Sequence, residues 1–246
     1  MGDELPWYRA KELSLERKAV AALRPACASP GDSFLIVTEG TVTEPLYFEL
    51  LRESLQLSTV TVKVIPGQHS DPRHVIQSAA NEVKSLARRV RKKKIAVTEL
   101  EKFDHVWAVI DTDVATRQEF WNDVVQKARD LNVHLAHSTP CFEYWLLLHL
   151  RMTTRGDLID GATTKSAFGT ELGRDYSTNR ETTEEALRFL LPNWPTAVKH
   201  AQQVRKHHHD GGTPAPANPS TEVDRIVCAL NDSLPASLRK IPCREA

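Results

Sequence analysis

The sequence predicts an α/β fold: a mainly parallel sheet flanked by helices, with helical additions at the C-terminal end. Three observations point there. Short apolar, β-branched runs recur at 33–38, 59–65, 105–110 and 133–137. Amphipathic helical segments separate them, and the strand signal vanishes past Arg151. Strands alternating with helices give parallel pairing, because right-handed crossovers place the helices on both faces of one sheet.

Each element has a local reason. Ser33 to Thr38, bounded by Gly31-Asp32 and Glu39-Gly40, reads as a strand buried on both faces. Pro45 at a first helical position opens a helix carrying Leu46, Phe48, Leu50, Leu51 and Leu55. A second strand, 59–65, stops at Pro66-Gly67. Asp71-Pro72 is an N-cap with a first-turn proline, starting a long helix through Val75, Ile76, Ala79, Ala80, Val83 and Leu86. His105 to Ile110 is the third strand and runs straight into Asp111-Thr112-Asp113. A helix over about 116–130 precedes the fourth strand, Val133 to His137, which Ser138-Thr139-Pro140 ends. Phe142 to Leu150 is a strongly apolar helix. Beyond it, 181–191 and 195–206 have helical composition, 207–219 is a Pro/Gly-bearing connection, and a last helix starts at Ser220 or Thr221.

The 246 residues divide into an N-terminal arm (1–32), the α/β core (33–150) and a helical extension packed on it (151–246). With 41% hydrophobic and 26% charged residues, the chain is neither disordered nor collagen-like. No apolar run approaches the ~20 residues of a membrane span, and the N-terminus has no apolar signal core, so a cytoplasmic address without membrane contact is expected. Cys27, Cys141, Cys228 and Cys243 lack metal or disulfide spacing and read as packing thiols.

The acids carry the chemistry. Glu39 follows the first strand, Asp111 and Asp113 the third, and Glu143 stands just past the Pro140 that ends the fourth. Ligands of open parallel sheets bind outside the carboxyl ends of the strands, so these four acids share one edge. Gathered carboxylates repel one another unless a cation sits among them, and hard oxygen donors suit Mg²⁺ or Mn²⁺. In extended backbone, side chains two apart point to the same side, which lets Asp111 and Asp113 reach one ion. Such ions activate water and neutralise a phosphoryl group during displacement, and phosphodiester hydrolysis is the natural reaction. Taken singly, Glu39 and Asp111 also read as caps of the helices that follow. Glu44, before Pro45, is equally a cap or a ligand of a second ion.

Glu39-Gly40-x-x-Thr43-Glu44-Pro45 after a buried strand, with a later strand ending Asp111-x-Asp113, resembles the Toprim fold of topoisomerases, primases and related nucleases. A fuller string narrows the match: Phe34 to Gly40, Val106-Trp107 to Asp113, Ser138-x-Pro140-Cys141-Phe142-Glu143-x-Trp145 to His149, and Asn218-Pro219-Ser220-Thr221-x-Val223. Together they resemble the RloB-like family. The resemblance implies a Toprim-like nuclease of prokaryotic anti-phage or restriction-linked defence, often with a partner ATPase. It implies Mg²⁺-type binding by Glu39, Asp111 and Asp113, with Glu44 and Glu143 accessory. The family's Tyr-x-Lys after the apolar helix is absent: Tyr176 is followed by Ser177-Thr178, so either Arg180 or Lys165 supplies that cation, or the step it serves is weakened.

The run from Lys84 to Lys94 holds seven basic residues and no acid, and Arg88, Arg89, Arg91, Lys92 and Lys93 form the candidate nucleic-acid surface. It also reads as a solvated helix end whose cations suit the helix dipole. His149 and His137 are candidates to orient a carboxylate, or satisfied core residues. RNA or DNA is the expected substrate, tRNA included, and a homo-oligomer is compatible with the sequence. The competing reading is a non-catalytic regulatory or assembly subunit that docks to the ATPase.

Overall fold

The computed structural model describes residues 31–57, 62–66, 71–92, 102–113, 120–174 and 176–242. The N-terminal arm lies almost wholly outside these residues, as do Lys93, Lys94, Cys27 and Cys243. The elements run β1 (Phe34–Thr38), α1 (Thr43–Ser54), β2 (Val62–Pro66), α2 (Pro72–Arg91), β3 (His105–Asp111), α3 (Trp121–Asp130), β4 (His134–Thr139), α4 (Glu143–Leu147), α5 (Gly161–Leu172), α6 (Arg180–Leu190), α7 (Trp194–Asp210), β5 (Ser220–Thr221) and α8 (Val223–Asp232). The sheet order is β2-β1-β3-β4-β5, with β1 to β4 parallel and β5 antiparallel. The expected α/β architecture is therefore present, and its helical C-terminal part covers the sheet.

Side-chain alternation decides what covers each face. Phe34, Ile36, Trp107, Val109 and Ala136 join one core cluster with residues of α1 and α4 to α8. Leu35, Val37, Val106, Ala108, Ile110 and Leu135 join the other, with Val75, Ile76 and Ala79 of α2 and Val124 and Ala128 of α3. Continuous apolar strands follow from this double coverage. Asp111 is in phase with Trp107 and Val109, so it belongs to the face covered by α1 and the late helices.

Several boundaries depart from expectation. Helix α1 starts at Thr43, two residues before Pro45, because the first-turn N–H groups of a helix need no intrahelical acceptor and proline is tolerated there. Helix α4 spans only Glu143–Leu147, and its continuation tightens into turns with His149 N–H to Leu146 and Leu150 N–H to Leu147. Residues 207–210 extend α7 rather than opening the connection. Ser220 and Thr221 do not start the last helix; they form β5 on β4, with Thr139 opposite Ser220 and Ser138 opposite Thr221. Thus a strand does exist past Arg151, too short for any period to show. Helix α5 had no apolar stripe to announce it, since its buried side chains are only Thr164 and Phe168. Its start is local: Asp160 accepts from Thr163 N–H at 2.8 Å in a capping box.

Candidate functional site

The parallel strands end level with one another, Asp111 opposite Ser138 and Thr38 opposite Val109. Glu39 continues this edge: its N–H donates to Val109 O at 2.9 Å, and its Oε2 accepts from Asp111 N–H at 3.0 Å. Glu39 therefore caps no helix; it bridges two strand ends. Glu44, in the first turn of α1, turns back so that its Oε1 accepts from Gly40 N–H at 3.0 Å. A Cβ on residue 40 would stand 2.0 Å from the Glu44 carboxylate, so only glycine leaves that approach open.

Glu143 starts α4 and is buried, at 4% exposure, beside Glu44 at 7%. The acids act on one another electrically. Burial, then the nearby charges of Glu44, Asp113 and Asp71, push Glu39 up to about 8 despite the Asp111 hydrogen bond. Burial and Glu143 push Glu44 up to about 7. Asp111 is raised well above the usual carboxylate range by burial, then by Glu44, Glu39, Glu143 and Asp113. Five acids, from the end of β1, from α1, β3, the segment after it and α4, thus share one field. Burial, with Glu143 and Asp111 next in strength, also raises the Cys141 thiol.

The cation brought to these acids is Lys165 of α5, its Nζ 3.7 Å from Glu143 Oε1 and its side chain about half exposed. Arg180, the other candidate for that charge, is exposed at the start of α6. Tyr176 closes the same corner: its hydroxyl lies 3.1 Å from Thr43 Oγ1, and burial, Glu143 and Glu44 push it up to about 12. The sequence motifs include Cys141 and Tyr176, but the meeting of Tyr176 with Thr43 joins stretches more than a hundred residues apart and carries no local signal.

The chemistry of the donors fits a hard divalent cation. Their present geometry is open, however: among the described residues no three His, Cys, Asp or Glu side chains converge at ligating distance. The physical reason is visible in the hydrogen bonds, since Glu39 and Glu44 spend an oxygen each on backbone N–H groups. An ion entering the site would draw the carboxylates inward from those donors.

Other candidates fall elsewhere. His149 is a satisfied core residue: Nδ1 donates to Trp145 O at 3.0 Å, Nε2 accepts from the Tyr47 hydroxyl at 3.2 Å, and burial depresses it to about 4. His137 lies 3.4 Å from Glu222 and stacks edgewise on Trp121. Thr112 and Thr139 share a 2.5 Å hydrogen bond that ties the ends of β3 and β4, and Ser138 bonds Thr221 at 2.9 Å. Arg88, Arg89, Arg91 and Lys92 are exposed at the C-terminal end of α2. Because α2 returns antiparallel to the strands, and a 20-residue helix is about 30 Å long, this run lies at the opposite edge of the sheet from the acids. The sequence candidates are thus five acids together and a basic run apart.

No curated protein and no solved structure shows detectable similarity to the chain. A family described as RloB-like protein matches residues 34–230, a span that begins at β1 and ends within α8, and so takes in every residue of the acidic edge. No helix among the described residues is long and apolar enough to cross a membrane. With the match covering all five described strands, the edge they build and the helices that cover it, the chain belongs to the RloB-like family.

Proposed function

We propose that this chain is a metal-dependent nuclease that hydrolyses nucleic-acid phosphodiesters, acting in a prokaryotic anti-phage defence system with a partner ATPase. One observation carries the chemistry: Glu39, Glu44, Asp111, Asp113 and Glu143 meet at the carboxyl ends of parallel strands, and their mutual repulsion is what a divalent cation relieves. The defence role and the Toprim-like description rest on the family resemblance alone.

A bound Mg²⁺ or Mn²⁺ would supply an acidified water and charge neutralisation at the phosphoryl oxygens. Asp111, Glu39 and Asp113 would hold it. Glu44 and Glu143, from the helices above the edge, would complete a second ion or accept the proton of the attacking water. Lys165 places a positive charge beside Glu143, where it would meet an incoming phosphate. The α2 run, about 30 Å away, would touch a remote part of a long or folded substrate, roughly nine nucleotides off along a stacked strand.

The test is cleavage of tRNA, single-stranded RNA and DNA by purified protein in Mn²⁺ or Mg²⁺, alone and with the ATPase. EDTA-sensitive cutting that is lost in Asp111→Asn is expected. If no substrate is cut under either condition, the regulatory-subunit reading replaces this one; the open arrangement of the carboxylates is the observation in its favour.

A further inference from the structure

A cavity of about 710 Å³ opens beside the acids, lined by Lys165, Gly169, Thr170 and Arg174 together with Tyr176. Its inner end adjoins the acidic site, because Lys165 lies 3.7 Å from Glu143 and the Tyr176 hydroxyl bonds Thr43, the neighbour of Glu44. Its outer end is Arg174. The floor is the small-residue face of α5. At Gly169 a Cβ would stand 3.3 Å from Arg174 O and 3.6 Å from Tyr176 N, so the chain folds back closely there and sets Arg174 and Tyr176 against the helix. From Lys165 to Gly173 the axis rises about 12 Å, which is three to four nucleotides of a stacked strand at about 3.4 Å each.

We propose that this groove is the track of the nucleic-acid strand flanking the scissile position, with Lys165 and Arg174 each contacting a backbone phosphate. The inference rests on the nuclease reading for the identity of the strand. Arg174 is held loosely enough to be recruited: it sits 3.5 Å from Glu185 with both side chains exposed, and exposed pairs of this kind contribute little and yield to a phosphate. Lys165 is half exposed beside the buried Glu143, so part of its ammonium faces the groove. Thr170 donates to Ser166 O at 3.0 Å, which keeps its side chain low on the helix and the floor shallow.

The test measures binding of fluorescent single-stranded RNA and DNA twelve-mers in EDTA as a function of salt, for the parent, Arg174→Gln, Thr170→Trp, and Lys206→Gln as a charge-matched surface control. One lost phosphate contact lowers the slope of log affinity against log salt by about 0.7, and affinity at about 0.1 M salt by roughly fivefold. That change is expected for Arg174→Gln. Thr170→Trp, which obstructs the groove without removing charge, should weaken binding by at least as much, and Lys206→Gln should leave it unchanged. Parallel assays of cleavage in Mn²⁺ separate the two ideas. Binding with the expected variant losses but no cutting removes the hydrolytic reading and keeps the groove. Cutting by a parent whose binding is unaltered in both groove variants removes the groove alone, and absence of both binding and cutting removes both. The RNA and DNA arms identify which strand the track prefers.

Discussion

Glu39 Oε2 accepts a 3.0 Å hydrogen bond from the backbone N–H of Asp111, so the acid that ends one strand is fastened to the acid that ends its neighbour. This bond places two carboxylates on one edge while leaving the Asp111 side chain to meet Glu44 and Glu143 from the helices above. The cost is electrostatic. Sites kept for function at the expense of stability respond to mutation in a characteristic way.

Asp111→Asn should abolish metal-dependent cleavage, by a hundredfold or more, while raising stability by about 1 kcal/mol as a repelled, desolvated charge disappears. Urea denaturation and cleavage assays on the same preparation check it. A variant that is both less stable and fully active would contradict the placement of Asp111 at the centre of the field.

The pH dependence has a definite sign. Glu39 and Glu44 titrate at about 8 and about 7 when folded, against 4.5 ordinarily, so between these limits the folded state holds more protons than the unfolded one. Stability from these groups is complete below about 4.5 and is lost as pH rises through 7 to 8. In EDTA the thermal midpoint should therefore carry a falling contribution across that window. Mn²⁺, which competes with the same protons, should raise the midpoint more at pH 8 than at pH 5.5. An equal Mn²⁺ effect at both would argue against binding among these acids.

Gly40→Ala isolates Glu44. The new Cβ would stand 2.0 Å from its carboxylate, and the end of a side chain moves more easily than backbone, so Glu44 is expelled from Gly40 while the fold persists. Cleavage should fall about tenfold or more, with a stability loss of about 1 kcal/mol from the missing hydrogen bond. Unimpaired cleavage would leave Glu44 a purely local capping role.

A separate charge cluster holds β5. Arg205 grips Asp224 through two hydrogen bonds, at 2.5 and 2.7 Å, and donates to Thr221 O at 3.0 Å. Although burial would raise it, Glu222 is brought down to about 2 by Arg225, His137 and Arg205. Asp224→Ala removes both charged hydrogen bonds of Arg205 and leaves it the Thr221 carbonyl and the field of Glu222, so a loss of about 2–3 kcal/mol is expected in urea unfolding. A loss below 1 kcal/mol would mean that Arg205 reaches water unaided.

The strands, the Asp71 cap and the acids at strand ends were legible because their signals span a few residues: unbroken apolar runs, a capping side chain, a carboxylate next to a break. Helix α5 was not, since its single large buried side chain, Phe168, makes no periodic stripe. Strand β5 was not, since two residues carry no alternation and its pairing with Ser138 and Thr139 joins positions about eighty apart.

Local patterning in this chain thus encodes the α/β class and which acids face one edge, for alternation and chain breaks act between near neighbours along the backbone. How close those acids lie, that Lys165 rather than Arg180 meets them, and that the basic end of α2 points away from them all depend on how helices stack across the sheet. Such stacking follows from the burial of apolar surface between distant segments, a quantity that no short stretch of residues contains.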